Sequence, residues 1–263
     1  MPRDVTALLL AGNRPGGDPL AQAFGVASKA LVPLAGKAMV ARVARVLLEH
    51  PRIARIVILA QADVPLADGD DTRWLAADPR IAFEHGGASV SMAVAAAIER
   101  HGARYPFLLT TADHALLTPA MLDALIAGAE ARGADVAVGL VERRTLLAAY
   151  PGNRRTWLRF RGGAYSGANL FWIASPAALP ALRLWRTIEQ RRKRGRAVIA
   201  AFGPWILAGV ALRFLGLEGA LRRAGRRLGL AAAPVVLPQA EACIDVDSVA
   251  DHALAETILA ARS

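Results

Sequence analysis

In VTALLLAGNRPGGD (residues 5–18) an uncharged run, Val5–Ala11, breaks into a loop carrying Gly12, Pro15, Gly16 and Gly17. A short apolar run bounded by turn residues reads as a strand buried on both faces, as in a parallel sheet. The glycine and proline density over 12–28 leaves no regular element expected there. The same punctuation recurs along the chain. Met39–Leu48 has helical periodicity, Arg55–Gln61 is a second buried strand, and Ser91–Arg100 is a second helix. Phe107–Thr111 is a third strand that ends on Ala112-Asp113, Pro119–Arg132 is a helix opened by its proline, and Asp135–Val141 is a fourth strand. Residues 142–165 read as loop and edge strand, followed by strand over Tyr165–Ile173. Val235–Leu237 and Ile244–Val246 also look like strands, and Ser248–Ala261 like a closing helix. Strands alternating with helices from the first residues imply an α/β fold with a mostly parallel central sheet and helices on both faces. Ligands in such sheets bind beyond the carboxyl ends of the strands, where the glycine-rich loop and Asp113 both fall.

The chain has 263 residues, 54% of them hydrophobic, which is enough for one substantial core with an insertion. A single domain over 1–263 is therefore expected, with a helical insert at 183–230. The insert is the odd region. Arg186–Arg196 (RTIEQRRKRGR) holds six Arg or Lys, 197–212 holds no charge, and Arg213, Arg222, Arg223, Arg226 and Arg227 follow. At sixteen residues with Gly203-Pro204 inside, the apolar run is too short to span a bilayer. Two arrangements fit 186–227. One is a helix lying in a membrane interface, and the other is a helical hairpin packed over the site or against a second subunit of a homodimer. A formal charge of +10 favours polyanionic partners without choosing among them. Cys243 is the only cysteine, so no disulfide framework or cysteine zinc site exists. A cytoplasmic location is expected, peripheral at the inner face of the membrane if the insert meets lipid.

Four segments carry chemistry. Backbone amides around Gly12, Gly16 and Gly17 can point at phosphate oxygens, and Arg14 can hold a phosphate bidentately. Neither a P-loop lysine nor a dinucleotide fingerprint is present. Lys29, in Ser28-Lys29-Ala-Leu-Val-Pro-Leu-Ala-Gly-Lys37, can neutralise charge building on phosphorus, whereas Lys37 reads equally well as a solvated lysine. Asp113, at the end of a buried strand, suits Mg²⁺, which takes one or two carboxylates plus phosphate oxygens and water. His114 beside it is not counted as a ligand. In Cys243-Ile-Asp245-Val-Asp247-Ser-Val-Ala-Asp251, one of Asp245 and Asp247 is expected to meet the metal, while Ser248 and Asp251 suit a helix cap.

Taken together, these motifs resemble the nucleotidyltransferase superfamily with the GT-A-like Rossmann fold, including its MobA-like members. Relatives include molybdenum cofactor guanylyltransferase, the small cytidylyltransferases and the sugar-phosphate nucleotidyltransferases. The resemblance runs through residues 10–18, 28–37, 111–118 and 245–251. It implies a nucleotide site of Leu10, Ala11, Gly12, Asn13, Arg14, Gly16, Gly17 and Lys29, with Arg14, Lys29 and Asp113 catalytic. It also implies Mg²⁺ on Asp113 and one of Asp245 or Asp247, with Asp245 favoured by its spacing from Ser248. The substrate phosphate would attack the α-phosphorus in line and release pyrophosphate.

The first loop departs from the usual Gly-x-Gly-Thr/Ser. The segment Gly86-Gly87-Ala88-Ser89-Val90-Ser91 is similar to the cytosine-reading segment of cytidylyltransferases, which favours CTP over GTP. Tyr165–Asn169 lies in the region where relatives place the acceptor, and Arg154 and Arg155, in a basic cluster with Asn153 and Arg159, suit a phosphorylated one. Arg154, Arg155 and Asn169 are therefore the expected acceptor contacts. A membrane-bound product enzyme making a lipid head group would be consistent with an interfacial insert. Three other readings compete. They are a GTP-dependent guanylyltransferase of the molybdenum cofactor or cobinamide type, a GT-A glycosyltransferase, and a non-catalytic membrane- or nucleic-acid-binding protein. The glycosyltransferase lacks its Asp-x-Asp motif at 112–115. The presence of Arg14, Lys29, Asp113 and Asp245 argues for catalysis, with no nucleic-acid partner expected.

Overall fold

A computed structural model describes residues 4–12, 16–61, 63–86, 89–102, 105–183 and 214–262. In chain order, β1 (Val5–Leu10) leads through a short α1 (Pro19–Ala23) and a 3₁₀ turn (Lys29–Leu31) to the hairpin β2 (Pro33–Leu34) and β3 (Lys37–Ala38). Next come α2 (Met39–Glu49), β4 (Ile53–Ala60), α3 (Trp74–Ala77), β5 (Ile81–His85), α4 (Val90–Arg100) and β6 (Phe107–Thr111). Then follow α5 (Pro119–Glu130), β7 (Val136–Glu142), α6 (Arg143–Ala149), β8 (Leu158–Phe160) and β9 (Gly163–Ile173). After residue 213, α7 (Leu217–Arg227), β10 (Ala232–Val236), a 3₁₀ turn (Ala240–Cys243) and α8 (Val249–Ala260) close the fold.

The main sheet runs β10-β7-β9-β6-β1-β4-β5, with β8 added against β9. All neighbours are parallel except around β9, which is antiparallel to β6, β7 and β8. Both faces are covered, and the strands show it in their side chains. Ala7, Leu9, Ile56, Ile58 and Leu108 pack with Val43, Leu47, Leu122 and Leu125 of α2 and α5. Leu8, Val57, Leu59, Phe107 and Leu109 pack with Val94, Ala97 and Ile98 of α4 on the other side. Burial on both faces is why β1 and β4 read as continuous apolar runs rather than alternating ones.

Several expectations need correction. The loop over 12–28 contains α1, which Asp18 caps: its carboxylate accepts from the amides of Leu20 (2.9 Å) and Ala21 (3.3 Å), and Pro19 takes the first helical position. The stretch read as loop at 142–165 begins with α6. Ile244–Val246 forms no strand. It leaves the 3₁₀ turn as an extended segment that makes a single bond to the end of β6, from the Val246 amide to the Asp113 carbonyl at 3.0 Å. Of the expected insert, 184–213 lies outside the described residues. Its described end, α7, buries Leu217, Ala220 and Ala224, while Arg222, Arg223 and Arg226 are exposed. Leu221 and Leu228 of this region line, with Val136, Val138 and Phe171 of the sheet, an apolar cavity of about 360 Å³. Among the described residues no helix is long and apolar enough to cross a membrane.

Candidate active site

The register of β1 and β6 sets the site. Leu10 lies opposite Thr111, and the Ala112 amide donates to the Leu10 carbonyl at 2.8 Å, so the loops leaving these strands start side by side. Ala11 is buried and donates its amide to Leu59, which fixes the exit of β1. Gly12 faces the Gln61 side chain closely enough that a Cβ would sit 3.3 Å from the amide group. Gly16 and Gly17 have φ of 92° and 90°, a conformation that side chains resist. Asn13 and Arg14 lie outside the described residues.

Lys29 opens the 3₁₀ turn that Ser28 caps through its hydroxyl, and this turn aims the lysine at the end of β6. Its ammonium sits 2.6 Å from Asp113 Oδ2 and also pairs with Asp247. Burial works against the charged lysine, yet the two carboxylates more than offset it and lift its pKa above the ordinary lysine value. Thr111 donates its hydroxyl to the other Asp113 oxygen, which fixes the carboxylate plane. Residues more than eighty positions apart thus meet at one point.

Asp245 completes the cluster from the C-terminal segment. The residue is partly exposed, but its Oδ1 is shut off from solvent and has no partner. Burial pushes its carboxyl up to about 8, the charges of Asp113 and Asp247 add to the shift, and Arg155 and the Asn169 amide oppose it. An acid whose negative form is this uncompensated is a place where a cation would be stabilised. Asp245 and Asp247 therefore both belong to the cluster: Asp247 is tied to the lysine, and Asp245 is held back in the wall. Among the described residues no three His, Cys, Asp or Glu side chains form a ready metal cage. Mg²⁺ needs none, since it keeps water and phosphate oxygens in its shell.

The expected acceptor residues have separate fates. Arg155 donates to Asp251 Oδ1 at 2.9 Å and to the Asp245 carbonyl at 3.3 Å, so its guanidinium fastens the acidic segment rather than facing an open site. Asn169 points at Asp245. Arg154 is exposed and lines an open cavity of about 620 Å³ with Tyr150, Asn153, Ser248 and Asp251, beside the acidic segment. Ser248 caps α8 as expected, accepting from the Asp251 amide at 3.2 Å. Lys37 is exposed on the hairpin.

The proposed base segment lies at the end of β5, across β4 from β1. Gly86 donates to the Ala60 carbonyl at 2.7 Å, and a Cβ there would sit 3.3 Å from the Ala60 backbone, so this close approach calls for glycine. The Ser89 and Ser91 hydroxyls lie 2.9 Å apart, and Ser91 is buried on α4. Gly87 lies outside the described residues. His114 is wholly buried, its Nε2 has no partner, and burial lowers its pKa to about 4, so it is a neutral core side chain. The role of Arg155 in holding the acidic segment had no signal in the sequence, because it depends on which distant segment the fold brings near. Thr111, by contrast, stands only two residues before the Asp113 it holds.

The sequence profile of the MobA-like NTP transferase domain matches residues 7–204. The chain belongs to that family. This NTP transferase is similar in structure to a hypothetical transferase from Thermus thermophilus. The two are 28% identical with a TM-score of 0.76, over 96% of this chain and 100% of that one. It is also similar to CMP:2-keto-3-deoxy-manno-octonic acid synthetase complexed with CTP (12% identity, TM-score 0.61, 99% and 100% covered). A third neighbour is 4-diphosphocytidyl-2C-methyl-D-erythritol synthase (13% identity, TM-score 0.60, 98% and 99% covered). The two latter likenesses show a shared fold. No functionally curated protein matches the chain. The family makes the protein a nucleotidyltransferase acting on an NTP and a second small substrate.

Proposed function

We propose that the protein transfers a nucleoside monophosphate from an NTP, with CTP preferred, to a small phosphorylated acceptor such as a polyol, sugar or alcohol phosphate, releasing pyrophosphate with the help of Mg²⁺. The observation that carries this reading is the meeting of Lys29, Asp113, Asp245 and Asp247 beside the glycine-rich loop at the end of β1. Asp113 with Asp245 or Asp247 would hold Mg²⁺, and the orphaned Asp245 Oδ1 and the lysine already lodged between two carboxylates both fit a cation there. Bound Mg²⁺ supplies charge neutralisation and polarisation at the phosphoryl oxygens.

The chain's own groups do the rest. Amides of the 12–17 loop, with Arg14, cradle the triphosphate. Lys29 then leaves its carboxylates for the α-phosphoryl oxygens and stabilises the charge that builds as the acceptor oxygen approaches in line. The acceptor oxygen bonds to the α-phosphorus as the bond to the β-phosphate bridging oxygen breaks, and the electron pair departs with pyrophosphate. Arg154, at its cavity beside the acidic segment, is the side chain best placed to receive an acceptor phosphate.

The preference for CTP rests on the Gly86–Ser91 segment and on two structural neighbours that are a CTP complex and a diphosphocytidyl synthase. The competing base is GTP, the base implied by the resemblance to molybdenum cofactor guanylyltransferase. Pyrophosphate release with each of the four NTPs against a panel of sugar, polyol and amino-alcohol phosphates, with Mg²⁺, tests both. Turnover with CTP and one acceptor supports the proposal, and turnover with GTP alone replaces the base assignment. Silence with every pair, together with no nucleotide-induced thermal shift, overturns the reading.

A further inference from the structure

β9 does not run evenly beside β7. Val138 pairs with Phe171 and Leu140 with Gly167, so β9 advances four residues while β7 advances two. The surplus is a bulge at Ala168–Leu170, and at its centre Asn169 takes a left-handed backbone, φ 46°. Gly139 sits opposite, where a Cβ would come within 3.1 Å of Leu170 Cβ and its carbonyl oxygen, so the bulge needs a glycine as its neighbour. Ala168 and Leu170 are buried on either side, which anchors the distortion in the core. Bulges re-aim a side chain, and a non-glycine residue held at positive φ stores strain that the surrounding packing must sustain. Here the re-aimed side chain is an amide that comes near the Asp245 carboxylate and favours its charged form, while Asp245 Oδ1 remains enclosed and without a partner. Arg155 holds the main chain of the same residue through its carbonyl.

We propose that Asn169 is a positioning residue: through the β9 bulge its amide orients the Asp245 carboxylate so that Oδ1 is presented to the divalent cation, and Asn169 does not itself contact the acceptor. The inference rests on the nucleotidyltransferase site proposed above. It differs from the role expected for Asn169 from the sequence, which was contact with substrate.

Two substitutions separate the amide from the backbone it stands on. Asn169→Gly removes the amide and keeps a residue at ease in the left-handed region, whereas Asn169→Ala removes the amide and adds backbone strain. Binding of Mn²⁺ alone to the full chain, without nucleotide, is measured by calorimetry for wild type and both variants beside their Tm. The expected result is a Mn²⁺ affinity about tenfold or more weaker in both variants, by the same amount, although only the alanine variant melts lower. In turnover assays kcat falls while KM for the acceptor stays unchanged. Wild-type Mn²⁺ affinity in the glycine variant, affinity that follows Tm across the pair, or a raised acceptor KM with kcat intact would each overturn the inference. Failure of the wild type itself to bind Mn²⁺ would overturn both this inference and the site it rests on.

Discussion

Two loops frame the site, and they are built in different ways. The loop after β1 is held mainly by its backbone: Ala11 is tied to β4, Gly12 lies against Gln61, and Gly16 and Gly17 turn the chain through left-handed conformations. The segment after Cys243 is held by side chains from elsewhere. Arg155 grips its carbonyl and Asp251, Asn169 faces Asp245, Lys29 pairs with Asp247, and Ser248 caps the helix that follows. A glycine loop is written in consecutive residues, so its chemistry is legible from them. A carboxylate cluster is assembled from several segments, so its members are legible but the contacts that aim them are not.

The contrast gives a graded set of expectations. If the carboxylate cluster is the chemical centre, Asp113→Ala should remove Mg²⁺-dependent pyrophosphate release to the assay background while Tm moves little, since Asp113 lies at a strand end. EDTA should do the same to the wild type, with activity restored by added Mg²⁺. Lys29→Ala should lower kcat by about 10²- to 10³-fold, the usual loss for one group stabilising transition-state charge, with less effect on nucleotide affinity. A loss confined to KM would make Lys29 a binding residue only. Arg155→Ala should weaken Mn²⁺ binding by about 10- to 100-fold and lower Tm as well, because it releases the whole acidic segment. An effect on acceptor KM alone would return Arg155 to the substrate side. Gly16→Ala should cost about 1–2 kcal/mol of stability from the left-handed backbone and raise KM for the NTP. If Gly16→Ala leaves nucleotide KM untouched, the loop after β1 is only a turn.

The fold was largely legible because burial on both sheet faces leaves uninterrupted apolar runs. Phe107–Thr111 is a strand over the expected residues, and β4 is shifted by only a residue or two. β5, at the sheet edge, escaped notice: Ile81-Ala-Phe-Glu-His85 is short, half polar and exposed along much of its length, so no buried run announces it. Ile-Asp-Val-Asp over 244–247 imitates strand alternation, yet among the described residues it pairs with no strand, and one bond to Asp113 takes the place of a ladder. α6 carries three polar residues in seven, Arg143-Arg-Thr, and starts directly from β7 without a capping side chain, which hid its boundary. In the site, Lys29, Asp113 and Asp245 could be named from their segments. The pairing of Lys29 with Asp247, and the use of Arg155 and Asn169 to hold Asp245, depend on approaches across roughly eighty to two hundred residues that no local pattern encodes.

We propose that the Lys29–Asp113–Asp245–Asp247 cluster is the metal-dependent phosphoryl-transfer centre. Its most direct test is pyrophosphate release by wild type and Asp113→Ala, at saturating NTP and acceptor, across a Mg²⁺ titration. Saturable Mg²⁺-dependent release by the wild type and none by the variant, with both proteins folded, is the expected result. Equal release by the two proteins, or release by the wild type that ignores Mg²⁺, would contradict it.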